Sequence, residues 1–566
     1  MPERQLLLAT RSGPLPTFRP MTPPTRSLRR GLPALAAATL GITLVATGLP
    51  AGAKPGSERI TLEPIGTYVG PESEFDTSAA EIVAYDAGTE RLFVVNAQAG
   101  RIDVLDISAP ATPVAVGTIT AELAEDGAEI NSVAVRDGLV AAAVQAPDKH
   151  APGSVELFDA VSLLPFGTPL EVGALPDMLT FTPDGARIVV ANEGEPSGYC
   201  DGDIDPEGSI SIIDVDGLTV ATADFHAFDG QADALRDAGV RIFGPGASVS
   251  EDLEPEYVAI DADSTTAWVS LQENNALAIV DLATATVTDI APLGLKDHSL
   301  PGNGLDASDR DPKGDSTINI ATWPVNGMYQ PDAIDAYEHG NKTYIVSANE
   351  GDAREYDCYV EESRVKDLED DFGYVLDGFD DDIDADENLG RLTVTTSYYG
   401  EPGPVDDLYS FGGRSFSIWD SAGELVFDSG DQFEQITAAL LPEDFNSNND
   451  ENGSFESRSD NKGPEPEGVE IGRAYGKTYA FIGLERVGGV MVYDITSPKN
   501  PFFVTYVNNR DFGQDAETPE AGDLGPEGLT FIPAADSPNG KPLLVVGNEV
   551  SGSTTIYEIA GPGKAR

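Results

Sequence analysis

The chain has 566 residues, and its 96 Asp and Glu residues against 34 Lys and Arg residues give a formal net charge of −62. A surface this negative repels nucleic acid and anionic membranes and attracts cations, so we expect no nucleic-acid partner. Hydrophobic residues make up 40% of the chain and are spread along it, which excludes an acidic disordered protein. Val- and Ile-rich runs separated by Gly and Pro favour an all-β fold.

Residues 1–53 have the pattern of an export signal. Arg26, Arg29 and Arg30 precede the apolar run LPALAAATLGITLVATGLP, and a small-residue cleavage motif follows it. The preceding segment is long for such a peptide, so Met21 is a candidate for the true start. We expect secretion by the general route, with the twin-arginine route as the alternative. No later apolar run is long enough to span a bilayer.

Residues 54–566 contain seven copies of one unit. Each copy has a first strand, a second strand after a turn, and a third strand that ends near an Asp. The copies cover residues 80–108, 129–160, 175–215, 254–283, 330–420, 465–495 and 525–559. The fifth copy is interrupted by a long insert, residues 351–410. Repetition at this scale indicates a repeat architecture rather than several unrelated domains.

A fourth strand follows most copies, as at 112–120 and 500–508, and one such strand, 60–69, stands before the first copy. A propeller closes its ring by borrowing one strand from the opposite terminus, which leaves no long unpaired edge. We therefore predict a seven-bladed β-propeller closed by an N-terminal strand, with loop insertions. An array of β-sandwiches, the alternative, would not explain the isolated first strand. Short helices are expected at 230–239 and 431–441.

Acidic residues recur at two positions that a propeller brings to one face, the start of the first strand and the end of the second. The candidate metal ligands are Asp177, Glu193, Glu256, Asp332, Glu350, Asp352, Glu465, Glu467, Glu527 and Glu549. Crowded carboxylates repel each other, and a divalent cation relieves the repulsion. Ca²⁺ is the expected cofactor because it takes oxygen ligands in flexible geometry. The alternative is that these acids cap strands and accept backbone N–H groups.

Four loops alternate Asp or Asn in the manner of calcium-binding loops. They are residues 200–208, 309–315, 380–388 and 448–453. None has a Glu at the twelfth position, so none is an EF-hand. Together they favour at least one calcium site.

Five cations accompany the acids and are candidate ligands for phosphate or another anion. They are Arg354, Arg414, Arg458, Lys462 and Arg486. Arg presents a fork of donors that suits phosphate, and metal ions beside it would suit hydrolysis of a phosphoester by a metal-activated water. Ion pairing with the neighbouring acids is the alternative. An enzyme of this kind would use Glu350, Asp352, Glu465 and Glu467 as metal ligands, with Arg354 and Arg458 on the phosphate; no catalytic residue is assigned.

Cys200 and Cys358 are the only cysteines. In an oxidising compartment, a disulfide is their expected use. Cys358 lies in the insert 351–410, and Cys200 lies in the corresponding loop of the third copy, so a disulfide would tie these two loops together. The four histidines are isolated from one another, which gives a histidine zinc site little support.

Six stretches resemble the choice-of-anchor I family of secreted bacterial propellers, which includes proteins similar to the mesenchyme-specific cell surface glycoprotein. The stretches are ALRDAGVRIFGPG, GLDASDRD, YQPDAIDAYEHG, SANEGDAREY, FGGRSFSIWD and FNSNNDENGSFESRSDNKGPEPEGVEI. The resemblance implies a propeller similar to the calcium-dependent phytases, and some relatives carry an alkaline phosphatase label. Members usually have a C-terminal surface anchor. The ending GPGKAR has no such signal, so we expect a released product.

These patterns predict a secreted, monomeric, calcium-binding propeller that presents an acidic, arginine-studded face to an extracellular ligand. The alternative is a metal-dependent phosphoesterase that uses the same face. The sequence names neither the ligand nor the substrate.

Overall fold

The computed structural model describes residues 59–71, 75, 79–121, 128–311 and 316–562, whose regular structure is mostly β-strand. The predicted export signal, residues 1–53, lies outside the described residues. Within the described ranges, no helix has the length and apolarity needed to cross a bilayer.

Strand β1 (Thr61–Val69) is followed by four consecutive four-stranded antiparallel sheets. Sheet 1 contains β2 (Val83–Asp86), β3 (Arg91–Asn96), β4 (Arg101–Asp106) and β5 (Val114–Ile119). Sheet 2 contains β6 (Ile130–Arg136), β7 (Leu139–Val144), β8 (Pro152–Asp159) and β9 (Leu170–Ala174). Sheet 3 contains β10 (Pro176–Phe181), β11 (Arg187–Asn192), β12 (Ser209–Asp214) and β13 (Thr219–Asp224). Sheet 4 contains β14 (Pro255–Ile260), β15 (Thr266–Leu271), β16 (Ala276–Asp281) and β17 (Thr286–Pro292).

The next part of the chain combines a fifth sheet with inserted strands. Two short strands come first, β18 (Leu295–Asp297) and β19 (Asn326–Met328). Sheet 5 begins with β20 (Ile334–His339) and β21 (Lys342–Asn349). Seven short strands then interrupt it: β22 (Glu355–Tyr356), β23 (Tyr359–Val360), β24 (Glu362–Arg364), β25 (Val375–Leu376), β26 (Thr393–Thr395), β27 (Pro404–Val405) and β28 (Tyr409–Ser410). Sheet 5 is completed by β29 (Ser415–Asp420) and β30 (Leu425–Asp428).

Two further sheets end the chain, and the last of them needs β1. Sheet 6 contains β31 (Pro466–Ala474), β32 (Lys477–Leu484), β33 (Val490–Asp494) and β34 (Phe502–Val507). Sheet 7 contains β35 (Pro526–Ile532), β36 (Leu543–Asn548) and β37 (Ser553–Ala560). Strand β1 pairs antiparallel with β37, from Thr61 opposite Ala560 to Val69 opposite Ser553. The fourth strand of sheet 7 therefore comes from the other end of the chain.

A separate apolar core fills the space between each sheet and the next one along the chain. A further core joins sheet 7 back to sheet 1 and includes Ile532, Leu543, Val83 and Leu92. The first strand of each sheet also contacts the first strand of the next, and β35 contacts β2. The order of contacts among the seven sheets thus closes on itself.

Burial explains the repeating sequence pattern. The second strand of a sheet has apolar neighbours on both faces, so β11 has five consecutive buried residues after Arg187. A strand buried on both faces has a continuous apolar run rather than an alternating one. The fourth strands are more exposed, and β13 has a single buried residue, Ala223.

The helices are short. Helices α1 (Ala232–Ala238) and α3 (Gln432–Leu440) confirm the two that the sequence predicts, while α2 (Val249–Asp252) is not predicted. It begins with a capping box, in which the Ser248 hydroxyl accepts from the Glu251 N–H and the Glu251 carboxylate accepts from the Ser248 N–H. The 3₁₀ segments are His226–Gln231, Val365–Asp367 and Pro519–Ala521, and a π-helical turn spans Leu368–Phe372.

The inserted strands form a substructure that the sequence interpretation covers only in part. A five-stranded sheet with the order β18-β19-β28-β26-β24 joins the predicted insert to the segment that precedes sheet 5. Its own core includes Leu305, Val365, Leu389, Val394 and Leu408. Strands of two or three residues leave no periodic pattern in the sequence. The sequence therefore does not predict that β18 and β19, which precede sheet 5, belong to this unit.

A disulfide joins Cys200 to Cys358, with 5.3 Å between the two Cα atoms and a sequence separation of 158. Tyr199 packs edge-on against Tyr356 and Tyr359, with ring centroids 5.7 and 5.3 Å away. The loop after β11 is therefore held against the insert by a covalent bond and by aromatic packing.

The closing strand is testable through its buried side chain. Leu62 on β1 is buried in the core between sheets 6 and 7, whereas the adjacent Thr61 is exposed. We expect Leu62→Ala to lower the free energy of unfolding by about 2–5 kcal/mol, because it leaves a cavity. Thr61→Ala is the matched control and should change it by less than about 0.5 kcal/mol. Chemical denaturation measures both, and equal effects would show that β1 does not pack in solution.

Candidate functional site

The starts of the first strands surround a common opening, which we name the acidic mouth. The residues at this position in the seven sheets are Glu81, Asn131, Asp177, Glu256, Asp332, Glu467 and Glu527. A small cavity of about 60 Å³ is lined by Asn131, Asp177, Asp332, Glu467 and Glu527. A wider one of about 430 Å³ shares Asp177, Asp332 and Glu527 with it and adds Glu193, Glu256 and Asp352. The structure therefore brings together acids that are far apart in sequence.

A repeated distortion of the first strands positions these acids. In four sheets the pairing register shifts between the proline and the third residue after it: Pro176/Leu179, Pro255/Val258, Pro466/Val469 and Pro526/Leu529. A β-bulge bends its strand and redirects side chains, and bulges are common beside functional sites. In these four sheets the acid that directly follows the proline, Asp177, Glu256, Glu467 or Glu527, lies inside the bulge.

The residue before the proline is also unusual. Leu175, Gln330 and Glu465 have φ values of 45°, 42° and 46°, and Gly525 has 66°. Residues with a side chain rarely adopt this left-handed conformation, and such strain is concentrated at functional sites. The proline after each one fixes the direction in which the strand leaves the mouth.

Asparagines hold the second strands where they reach the mouth. Each is buried and donates from Nδ2 to a serine of the third strand: Asn192 to Ser211 Oγ (3.0 Å), Asn349 to Ser417 Oγ (2.9 Å) and Asn548 to the Ser553 carbonyl (3.1 Å). The residue after each asparagine is an acid, namely Glu193, Glu350 or Glu549. The Asn-Glu pairs of the sequence thus divide into an anchor and a mouth residue.

One side of the mouth holds three carboxylates close together. Ligand oxygens of Glu81, Glu527 and Glu549 lie within 4.8 Å of one another. Burial, Glu549 and Asp177 raise the pKa of Glu81 to about 8. Burial, Glu81 and Glu549 likewise raise the pKa of Glu527 well above its usual range. Glu81 is not among the predicted ligands because Ala80 stands where other copies have proline, although its place in the repeat matches that of Glu527.

The neighbouring acids also repel one another. Burial and the Glu195 carboxylate raise the pKa of Asp177 to about 7. Burial and nearby carboxylates raise the pKa values of Glu193, Glu256, Asp332 and Glu467 well above their usual range. Glu273, which the sequence interpretation omits from the ligands, has its pKa raised to about 7, mainly by burial. One buried oxygen each of Glu256, Glu273, Glu467 and Glu527 has no hydrogen-bond partner among the described residues.

The part of the mouth beside sheets 5 and 6 carries its own cations. Lys462 Nζ lies 2.8 Å from Glu350 and 3.7 Å from Glu465. Arg458 and Arg486 donate to the two oxygens of Glu465 at 2.6 and 3.1 Å. Burial alone would raise the pKa of Glu465, but these three cations lower it to about 2.

The predicted metal ligands on this side are already in contact with cations. Ligand oxygens of Glu350, Glu465 and Glu485 lie within 4.8 Å of one another, so the role of Glu350 and Glu465 as metal ligands stays a prediction, although three cations balance the charge of Glu465. Arg458, Lys462 and Arg486 are engaged with acids, as the ion-pair alternative expected, rather than free to bind an anion. Asp352 stands at the rim, with its side chain 53% exposed.

Arg354 and Arg414 are buried structural residues, which corrects their interpretation as anion ligands. Arg354 lies 2.5 Å from Asp252 Oδ1 and 2.8 Å from Glu254 Oε1, and its guanidinium carbon is 4.5 Å from the Phe243 ring centre. Arg414 donates to Glu434 at 2.7 Å and to backbone carbonyls. The donors of both guanidiniums that form hydrogen bonds contact buried acids and backbone carbonyls.

Removal of the Arg354 charge tests this assignment. Arg354→Met would leave Asp252 and Glu254 buried without their counter-charge, so we expect a loss of about 3–5 kcal/mol of stability. Lys541→Met is the control, because Lys541 forms a solvent-exposed ion pair with Glu558 whose loss should change stability far less. Denaturant unfolding gives both values. Unchanged stability in Arg354→Met would return Arg354 to the list of candidate anion ligands.

Comparison with known proteins places the chain in a family. The model of the choice-of-anchor I domain matches residues 81–498. Gigasin-3a of Magallana gigas is 31% identical over 191 residues, which is 32% of this chain and 67% of gigasin-3a. The mesenchyme-specific cell surface glycoprotein of Strongylocentrotus purpuratus is 27% identical over 324 residues, which is 49% of this chain and 40% of that protein.

Among solved structures, hydrazine synthase of Kuenenia stuttgartiensis aligns with 85% of this chain and 96% of its own, at 13% identity and a TM-score of 0.44.

The family match extends over most of the chain and includes the first strands of sheets 3 to 6 with their mouth acids. It confirms the resemblance drawn from the sequence motifs. The chain belongs to the choice-of-anchor I family.

Proposed function

We propose that the protein is an extracellular, calcium-binding β-propeller of seven blades that presents the acidic mouth to an extracellular ligand. The observation that carries this proposal is the close approach of Glu81, Glu527 and Glu549, whose oxygens lie within 4.8 Å of one another. The closed order of sheet contacts and the pairing of β1 with β37 support the propeller.

A bound cation is the simplest relief for the crowded side of the mouth. Protonation is the other relief, but Glu81 and Asp177, with pKa values of about 8 and 7, give up their protons as the pH rises through that interval, and a cation can then replace the protons. Ca²⁺ takes six to eight oxygen ligands at about 2.3–2.6 Å, so oxygens up to about 4.8 Å apart can share one ion. On this side of the mouth, the candidate ligand atoms of Glu81, Glu527 and Glu549 are all carboxylate oxygens, which suit such an ion.

The part of the mouth beside sheets 5 and 6 already has its counter-charges. Lys462, Arg458 and Arg486 already neutralise Glu350 and Glu465, so these two acids need no bound metal ion to hold them in position. A ligand with carboxylate, hydroxyl or sulfate oxygens would complete the coordination of a calcium ion held by Glu81, Glu527 and Glu549. The cell surface glycoprotein among the relatives supports an extracellular or surface location.

The phosphoesterase alternative draws no support from the arrangement of cations. Its proposed phosphate ligands, Arg354 and Arg458, are committed to buried acids. Phosphoryl transfer depends on charged groups directed at the transferring phosphate. We therefore favour binding over catalysis.

Calcium titration tests the mouth. We expect the double variant Glu81→Gln/Glu527→Gln to bind Ca²⁺ at the mouth at least about tenfold more weakly, because it removes two of three charges. The control is Glu63→Gln/Glu424→Gln, which removes two exposed charges and should bind like the wild type. Isothermal titration calorimetry of chelator-treated protein measures both. Equal affinity and stoichiometry in the two double variants would refute a calcium site at the mouth.

The pH dependence of stability gives a second test. The pKa values of Glu81 and Asp177 are higher in the folded protein than in an unfolded chain, so folding takes up protons. In the absence of calcium, the stabilisation that this proton uptake provides is fully present below the ordinary pKa of a carboxyl group. It is lost as the pH rises through the folded-state pKa values of about 7 and 8. Calcium binds the ionised carboxylates, so the stabilisation that it provides should grow over the same interval.

Thermal melting at pH 5 and pH 8, with chelator and with Ca²⁺, measures this effect. We expect the chelated protein to melt several degrees lower at pH 8 than at pH 5, and Ca²⁺ to remove that difference. The Glu81→Gln/Glu527→Gln variant should show a shallower pH dependence. The same slope in variant and wild type would contradict the assignment to the mouth.

A further inference from the structure

A second group of carboxylates lies outside the mouth, beside the inserted substructure. Ligand oxygens of Asp306, Asp311 and Glu456 lie within 4.8 Å of one another, and we name this group the Asp306 cluster. Asp306 and Asp311 belong to the segment between β18 and β19, while Glu456 belongs to the loop before β31. Asp306 and Glu456 have no exposed surface, and Asp311 is 5% exposed.

Four oxygens of the cluster have no hydrogen-bond partner among the described residues. They are Oδ1 of Asp306, Oδ1 of Asp311 and both carboxylate oxygens of Glu456. The other oxygen of Asp306 accepts from the Asn319 N–H at 2.5 Å. A buried carboxylate without a partner is costly, and three together are costlier because they also repel one another.

The nearby cations are committed elsewhere. Arg414 donates to the Asp306 backbone carbonyl at 2.8 Å, but its ion pair is with Glu434 at 2.7 Å. Arg391 pairs with Asp309 and Asp460, at 2.8 and 2.6 Å. In the ranges that the structure describes, no Lys, Arg or His forms an ion pair with Asp306, Asp311 or Glu456.

The backbone holds Glu456 toward the other two acids. Glu456 has a φ of 64°, which is rare for a residue with a side chain. Its N–H donates to the Phe445 carbonyl at 2.9 Å, and its carbonyl accepts from the Ser459 N–H at 3.0 Å. Burial and repulsion by Asp306 and Asp311 raise the pKa of Glu456 to about 9. A strained residue is thus fixed in an unfavourable electrostatic position.

We propose that Asp306, Asp311 and Glu456 bind a structural divalent cation, best matched by Ca²⁺, which ties the β18–β19 segment to the loop before β31. An ion supplies the positive charge that no described side chain provides and gives partners to all four unpartnered oxygens. The donors are all oxygen, which favours a hard cation over zinc. Ca²⁺ suits irregular ligand geometry, whereas Mg²⁺ requires near-ideal octahedral geometry with shorter bonds.

The cluster differs from the calcium loop that the sequence suggests at 309–315. Of the two acids of that loop that the structure describes, Asp309 pairs with Arg391 and Asp311 belongs to the cluster. The other two ligands, Asp306 and Glu456, come from outside it. A spacing rule within one loop could not find a site assembled from two segments.

Trp323 provides a local optical probe. Its indole Nε1 donates to the Leu305 carbonyl at 3.2 Å, and Leu305 directly precedes Asp306. Tb³⁺ replaces Ca²⁺ in oxygen sites and luminesces when a nearby tryptophan transfers excitation to it. Excitation that tryptophan absorbs and tyrosine does not will favour this cluster over the mouth, which Tyr257 and Tyr356 line.

The experiment titrates the full, chelator-treated chain with Tb³⁺ and then competes with Ca²⁺ or Mg²⁺. We expect saturable emission in the wild type that Ca²⁺ displaces more effectively than Mg²⁺, and loss of that emission in Trp323→Phe. Glu456→Gln should weaken Tb³⁺ binding at least about tenfold, because it removes one of three charges. Glu81→Gln/Glu527→Gln should leave the emission unchanged, so failure of the mouth proposal and failure of this one are distinguishable.

If Glu456→Gln does not fold, as judged by circular dichroism, Asp311→Asn replaces it, because this side chain lies at the edge of the cluster. Absence of tryptophan-sensitised emission in the wild type would overturn the proposal. So would emission that persists in Trp323→Phe, or unchanged affinity in the folded Glu456→Gln or Asp311→Asn variant.

Discussion

The pairing of β1 with β37 is the constraint on which the other features depend. It supplies the fourth strand of sheet 7 and covers the core between sheets 6 and 7 with Ile60 and Leu62. With that sheet complete, the contacts between sheets run from the first to the seventh and back to the first. Only a closed order of this kind directs first strands from all parts of the chain to one opening. The electrostatics of the acidic mouth follow from backbone pairing at the ends of the chain.

Electrostatic compensation takes two forms around the mouth. On one side, Lys462, Arg458 and Arg486 are built into the chain and form ion pairs with Glu350 and Glu465, and they lower the pKa of Glu465. Around Glu81 and Glu527, burial and neighbouring carboxylates raise the pKa of both acids, and we propose that a cation from solution balances their charge. A fixed cation makes a charge permanent, whereas an exchangeable one makes it depend on calcium concentration and pH. The Asp306 cluster is another group of acids with no ion pair to a described Lys, Arg or His, and it lies in a loop region.

The repeat and its alternation of strand types could be predicted because buried second strands and Pro-acid starts recur at regular positions. The mouth acids followed from that repeat, although Glu81 was missed where Ala80 replaces the proline. The roles of the arginine side chains could not be predicted, because an Arg beside acids has the same sequence pattern whether it lies in the core or at an opening. Arg354 and Arg414 have this pattern, and both are buried. The Asp306 cluster was equally hidden, since its members meet only through tertiary structure.

The position of β1 has a consequence for how the chain matures. A polypeptide that emerges N-terminus first presents β1 at the outset and β37 at the end, so β1 has no partner until synthesis or transport is complete. Contacts between residues so far apart in sequence form late and slowly. The unfinished chain consequently cannot complete sheet 7, because β1 and β37 have not yet met. Loss of the eight residues of β37 would leave β1 without a partner strand however well the other sheets had formed.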